Sequence, residues 1–211
     1  MLRELPDADD VVEPEALAGP DHPMRAVTRQ VAFEDGWSPG RAAKIADLFD
    51  SLSAGWTADH SGAVRVAPLH DALRRGGLDP AGRWLELGSG TGVGTVELAA
   101  VADRLVAVDL SAGMLANATD LAPRVRADAS VLPFPDAAFD VAVLVNMLLF
   151  PAELCRVLSP GGKVVWVNTL GDRTPIHLPP PDVIAALPGD DWQGVTARAG
   201  SGFWAVFERP C

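Results

Sequence analysis

Hydrophobic positions change period along this chain, and the changes mark out its elements. Arg83-Trp84-Leu85-Glu86-Leu87 and Arg104-Leu105-Val106-Ala107-Val108 are short β-type runs. Arg124 to Ala129 is a third. Val141 to Asn146 is apolar at almost every position, the pattern of a central parallel strand covered on both faces. Lys163 to Asn168 follows the turn Ser159-Pro160-Gly161-Gly162. Helical spacing fills the gaps: Val93, Val96, Leu98 and Val101; Ser111 to about Leu121; Pro151 to Leu158. Strand–helix alternation of this kind predicts a doubly wound, mostly parallel α/β sheet with helices on both faces. Trp192 to Ala199 and Phe203 to Glu208 alternate across Gly200-Ser201-Gly202, which predicts a final antiparallel hairpin.

Upstream of the first of these strands, Ser38-Pro39 reads as an N-cap with proline at the first helical position. Ile45, Leu48, Phe49 and Leu52 follow at helical spacing. Val66, Leu69 and Leu73 stripe a second helix, Val64 to Arg75, which Gly76-Gly77 ends. Pro68 in that helix is expected in its first turn, where its missing N–H costs nothing. A short helix from Pro181 to Leu187 is expected within the proline-rich stretch after Leu170. Residues 1–35 are acidic and punctuated by Pro6, Pro14, Pro20 and Pro23. They read as a poorly ordered or loosely docked extension, leaving 36–211 as one domain.

Composition narrows the function classes. The formal net charge of −11 argues against nucleic acid or an anionic membrane surface as partner. The start of the chain has no basic and apolar signal pattern, and the longest apolar run, Val141 to Phe150, is too short to span a bilayer. A cytoplasmic protein acting on a small molecule is expected, as monomer or homodimer. The two cysteines, Cys155 and Cys211, make neither a metal nor a disulfide framework, and no metal is expected.

The chemistry concentrates after residue 85. Glu86-Leu87-Gly88-Ser89-Gly90-Thr91-Gly92 joins a strand to a helix start. Glycines let the turn adopt positive φ and let a ligand approach the backbone. No lysine stands here, so a P-loop is excluded. The dinucleotide spacing G-x-G-x-x-G fails too: its third glycine would fall on Val93 or Thr95. About 20 residues on, Asp109 ends the second strand, where an acid can accept hydrogen bonds from a ribose. Ser111 then reads as a helix N-cap.

These motifs resemble those of class I S-adenosylmethionine (SAM) dependent methyltransferases, closest to the small-molecule type 11 group related to quinone-biosynthesis enzymes. Four stretches carry the resemblance in order. They are Glu86 to Gly92; Asp109-Leu110-Ser111-Ala112-Gly113-Met114-Leu115; Asp128-Ala129 with Leu132-Pro133-Phe134-Pro135-Asp136 and Phe139-Asp140; and Glu153 to Gly162. The resemblance implies a Rossmann-like, seven-stranded, mostly parallel sheet closed by the hairpin. It implies transfer of the sulfonium methyl of SAM to a small organic acceptor, leaving S-adenosylhomocysteine. The implied cofactor contacts are Glu86, Gly88, Ser89, Gly90, Gly92, Asp109, Leu110, Met114, Asp128, Ala129 and Asn146. Asp128 would meet the adenine amino group and the Ala129 N–H its ring. The helix ahead of the first core strand would lie over the pocket, with Phe49, Trp56 and His60 as lid and substrate residues. No base is marked by a motif; His60, Asp59, Asn146 and His177 are the candidates by position. Two other readings stand beside this one: a SAM-binding sensor or partner subunit without turnover, and an NAD(P)-dependent oxidoreductase, which the glycine spacing disfavours.

Overall fold

A computed structural model describes residues 1–13 and 19–209. Its core is one eight-stranded sheet. The strands are β1 (Leu2–Glu4), β2 (Arg83–Leu87), β3 (Arg104–Asp109), β4 (Arg124–Arg126), β5 (Phe139–Val145), β6 (Leu158–Asn168), β7 (Gln193–Ala199) and β8 (Gly202–Glu208). Their order across the sheet is β1-β7-β8-β6-β5-β2-β3-β4. Every pairing is parallel except those of β8 with β6 and β7. The helices are α1 (Pro23–Phe33), α2 (Pro39–Leu52), α3 (Trp56–His60), α4 (Ala63–Arg75), α5 (Val93–Ala99), α6 (Ala112–Ala116), α7 (Pro151–Val157) and α8 (Pro180–Ala186).

Successive side chains of a strand face opposite ways, and β5 shows the result. Ala142 and Leu144 join the apolar cluster on one face; Val141 and Val143 join the cluster on the other. Both faces of the central strand are therefore buried, as its continuous apolar run requires. The chain order reverses at β2, which pairs with β3 on one side and β5 on the other. Ligands of doubly wound sheets bind outside the carboxyl ends of the strands at such a switch point.

The structure departs from the sequence reading in four places. The sheet has eight strands, not seven, because Leu2–Glu4 adds a parallel edge strand to β7. Residues 1–35, set apart in the sequence as an extension, thus supply an edge strand and helix α1. Pro68 sits inside α4 rather than in its first turn. Its ring leaves the carbonyl of Val64 without an intrahelical donor. Ser201, in the β7–β8 turn, donates to that oxygen from its N–H at 3.4 Å, while its hydroxyl donates to the Thr169 carbonyl at 2.8 Å. Finally, α6 stops at Ala116 rather than Leu121, because Thr119 N–H turns back to donate to the carbonyl of Thr91 at 3.3 Å.

Cys155 is buried, and burial pushes its thiol up to about 11, so it is an inert packing residue. Cys211 lies outside the described residues.

Candidate functional site

A cavity of about 450 Å³ opens at the carboxyl ends of β2 to β6, under α2 and α3. Its floor is the turn after β2. Gly88, Gly90 and Gly92 have φ of +71°, +55° and +89°. The turn is tied to β3, because Gly88 and Ser89 both donate to the carbonyl of Val108, at 2.9 and 3.0 Å. Gly90 combines positive φ with a close neighbour: an added Cβ would lie 3.6 Å from the indole nitrogen of Trp56.

Two acids sit beneath this turn, Glu86 buried and Asp109 half-buried. Glu86 is 2 % exposed and accepts from the Thr95 hydroxyl at 2.5 Å. Burial is the main cause that raises its carboxyl to about 8, and the nearby charge of Asp109 adds to it. An added Cβ at Gly94 would stand 2.5 Å from Glu86 Oε1, so a glycine there makes room for the acid. Asp109 accepts from the N–H of Gly90 and of Ser111, both at 2.8 Å. Burial raises its carboxyl, while the backbone N–H groups of Ser111 and Gly90 hold it down. Each carboxylate oxygen keeps a lone pair for a further donor. The Ser89 hydroxyl is buried at the same turn with no hydrogen-bond partner. A buried hydroxyl left unpartnered on a cavity wall is available to a ligand atom or a water.

Of the cofactor contacts expected from the sequence, Glu86, Gly88, Ser89, Gly90, Asp109, Leu110, Met114, Asp128, Ala129 and Asn146 all line the cavity. Gly92 does not; its positive φ shapes the turn and caps α5. Asp128 accepts from the indole N–H of Trp37 at 2.9 and 3.1 Å and from Ser130 N–H at 2.9 Å. Asn146 is a brace. Held at φ +50° on the end of β5, it accepts from Thr169 N–H at 2.9 Å and donates to the Thr169 hydroxyl at 2.8 Å. It locks the ends of β5 and β6 together.

The roof is aromatic. Phe49 meets Trp56 edge-on, with ring centroids 5.5 Å apart. Trp56 stacks on His60, with centroids at 3.8 Å and planes 10° apart. A hydroxyl pair latches α3 to the floor: Thr57 and Thr91 are 2.7 Å apart. Phe49, Trp56 and His60 line the cavity together. Asp59 and His177 do not line it. Asp59 is exposed on the outer side of α3. His177 packs edge-on against Phe203 and hydrogen-bonds the carbonyl of Gly171.

Several wall residues carried no sequence signal. Trp37 packs edge-on against Phe150 at 5.1 Å and holds Asp128. His22 and Met24, at the start of α1, complete that wall. Trp37 immediately precedes the Ser38 cap, and an aromatic at that place is the one hint available. Asp50 caps α6 from α2, accepting from Gly113 N–H at 2.8 Å and from the Ser111 hydroxyl. Arg65 is the one lysine or arginine among the residues lining the cavity. Among the described residues, no three His, Cys, Asp or Glu side chains are grouped to hold a metal ion.

The floor lies in the stretch that known proteins share. Residues 85–166 match the model of a family described as "Methyltransferase domain". A demethylmenaquinone methyltransferase of Mycolicibacterium gilvum is 45 % identical over 96 residues, 42 % of this chain and 42 % of that protein. The match therefore spans less than half the length of these curated relatives. Among solved structures, a "DhpI-SAH complex" superposes with a TM-score of 0.66 at 24 % identity, covering 82 % of this chain and 98 % of that one. A Thermotoga maritima protein titled a SAM-dependent methyltransferase, possible histamine N-methyltransferase, gives 0.58 at 17 % identity over 78 % of this chain and 98 % of its own. Such likenesses establish the Rossmann-like methyltransferase fold. Residues 85–166 thus match a methyltransferase domain, and the chain's fold is similar to that of SAM-dependent methyltransferases.

Proposed function

We propose that this cavity binds SAM and that the protein transfers its methyl group to a small organic acceptor, releasing S-adenosylhomocysteine. One observation carries the choice of ligand: the glycine turn is bedded on a buried acid, Glu86, and a half-buried one, Asp109, with a serine hydroxyl unpartnered among the described residues between strand and helix. A ligand with a cationic sulfonium and ammonium is attracted by such carboxyls and would favour the ionised form of Glu86, which burial otherwise holds up at about 8. A dinucleotide would bring a pyrophosphate, whose G-x-G-x-x-G cradle this turn lacks and which ionised carboxylates beneath it would repel. Asp109 has lone pairs left for ribose hydroxyls, and Asp128 with Ala129 lies at the next strand end for the adenine. Glu86, Gly88, Ser89, Gly90, Leu110 and Met114 complete the reading of the cofactor site.

Bound SAM supplies an electrophilic methyl: an acceptor lone pair forms the new bond as the C–S pair returns to sulfur. The chain's part is positioning, which can contribute roughly 7–11 kcal/mol by holding the acceptor in line. Trp56, Phe49 and His60 roof that space and exclude water, while Asn146 fixes its far edge. The walls are mostly apolar, which suits a small organic acceptor. We take residues 36–211 as the catalytic domain, with 1–35 closing part of its wall through His22 and Met24. The net charge of −11 favours a reading without nucleic acid. No helix of the described residues is long and apolar enough to cross a membrane. We read the protein as cytoplasmic, a monomer or homodimer. The test is transfer of labelled methyl from SAM into a cell extract. Label in a small product supports methyl transfer; SAM binding with no labelled product in any extract points to a sensor or partner subunit.

A further inference from the structure

We propose that His60 is the proton acceptor of this site, taking at its Nε2 the proton of a hydroxyl on the small acceptor. The inference rests on the methyl-transfer reading and deepens it.

Geometry selects this residue. Of the four candidates, Asp59 and His177 do not line the cavity. The Asn146 amide has no basic lone pair and is committed to Thr169. Two histidines remain on the cavity wall, His22 and His60, and their hydrogen bonds assign them opposite tautomers. His22 Nδ1 accepts from Met24 N–H at 3.2 Å. In the neutral ring its proton therefore sits on Nε2, which can only donate. His60 Nδ1 lies 2.8 Å from the carbonyl of Trp56. A carbonyl only accepts, so Nδ1 carries the proton and Nε2 is left with its lone pair. Nε2 has no hydrogen-bond partner among the described residues. The stack on Trp56 fixes the ring plane, and Trp56 in turn rests beside Gly90 on the cofactor turn.

The environment keeps this nitrogen ready. Burial lowers the imidazole from its ordinary value and the Arg65 guanidinium on α4 lowers it further; the Trp56 carbonyl and the charge of Asp59 on its own helix act the other way. The net direction is down, so His60 is neutral at pH 7. The proton step is simple. The acceptor O–H bond breaks, its electron pair stays on oxygen, and the proton moves to Nε2. The resulting imidazolium still donates from Nδ1 to the Trp56 carbonyl and later returns the proton to water. A base of this strength suits a phenolic or enolic hydroxyl, whose ionisation lies within a few units of an imidazole's. An amine acceptor with a free lone pair needs no such base.

Two measurements on the full chain test this. The first is nitrogen NMR of the His60 ring in the presence of S-adenosylhomocysteine. Expected are a protonated Nδ1, a bare Nε2 and a titration below that of free histidine. A neutral ring protonated on Nε2 overturns the proposal whatever the protein catalyses. The second compares wild type with His60→Gln on para-cresol, a weakly acidic phenol, and para-nitrophenol, which ionises unaided near neutral pH. The variant is expected to lose about a hundredfold or more in kcat on para-cresol, the scale of general-base catalysis. It should lose far less on para-nitrophenol and keep S-adenosylhomocysteine affinity within about threefold. Equal losses on both phenols overturn the proposal. So does a wild type that binds S-adenosylhomocysteine but methylates neither phenol nor any hydroxyl compound of a cell extract. A wild type that fails to bind S-adenosylhomocysteine instead defeats the methyl-transfer reading, a separate outcome.

Discussion

Floor and roof of the cavity are built on different principles. The floor, Glu86 to Gly94 with Asp109, is made of backbone. Its shape comes from glycines at positive φ, N–H groups shared with the Val108 carbonyl, Asp109 held by backbone donors and Glu86 held by the Thr95 hydroxyl. The roof, Phe49, Trp56 and His60 with Trp37 at one side, is made of side chains, held by ring contacts, the Thr57–Thr91 hydroxyl pair, the Trp37–Asp128 hydrogen bond and the bonds of Asp50 to α6. A floor that depends on spacing tolerates almost no substitution. A roof that depends on packing can change its residues and, with them, its acceptor. On the proposed reading the two halves divide the work: the floor would bind the cofactor, and the roof would select and place the acceptor.

Gly90→Val should test the division most severely. A branched side chain at φ +55°, facing the Trp56 indole, both strains the turn and fills the space a ligand needs. The expected outcome is loss of detectable SAM binding by calorimetry with secondary structure retained by circular dichroism. A variant that binds normally would move the cofactor away from the floor. Asp109→Ala comes next. Removing a charge-assisted partner is worth roughly 1.5–3 kcal/mol, so SAM affinity should fall at least about tenfold. The same change strands the Gly90 and Ser111 N–H groups, so thermal stability should fall with it. Unaltered affinity would return Asp109 to a purely structural part.

Trp56→Ala reverses the emphasis. Turnover should fall at least about tenfold through lost positioning, while S-adenosylhomocysteine affinity changes much less. Equal losses in both would mean that roof and floor are one unit. Thr57→Val removes only the latch to Thr91, one neutral hydrogen bond of about 1 kcal/mol. Faster hydrogen exchange confined to α3 is expected, and exchange spreading into β2 would show that the floor depends on the latch.

Glu86 offers a pH probe of the floor. Its carboxyl is raised in the folded protein to about 8, chiefly by burial. A raised value means the folded state holds the proton longer than the unfolded chain does. The stabilising contribution is then fully present below the ordinary carboxyl value of about 4.5 and is lost as pH rises through 8. Thermal unfolding of wild type should weaken relative to Glu86→Gln across that window, and parallel curves would place the ionised acid in contact with solvent.

The same contrast explains what the sequence could tell. The floor was legible because each of its parts sits at a fixed spacing: a glycine every second residue, an acid at each strand end. The Glu153-to-Gly162 stretch was legible for the same reason, and in the fold Glu153 and Arg156 pair at 2.6 Å and clamp the Leu132–Asp136 loop. The roof was only half legible. Phe49, Trp56 and His60 were expected there from resemblance, but Trp37 reaches Asp128 across 91 positions of chain, a separation that no local pattern encodes. The edge strand β1 pairs with β7 at an even greater remove, Leu2 beside Gly194, and three residues carry too little pattern to announce a strand. Pro68 was misplaced because the donor that satisfies the Val64 carbonyl comes from the far hairpin.

Calorimetry on the unmodified protein, with SAM, S-adenosylhomocysteine and NAD(P) in turn, tests the central claim most directly. An acid-bedded glycine turn should bind SAM and S-adenosylhomocysteine and leave NAD(P) unbound. Tight NAD(P) binding without SAM binding would contradict it.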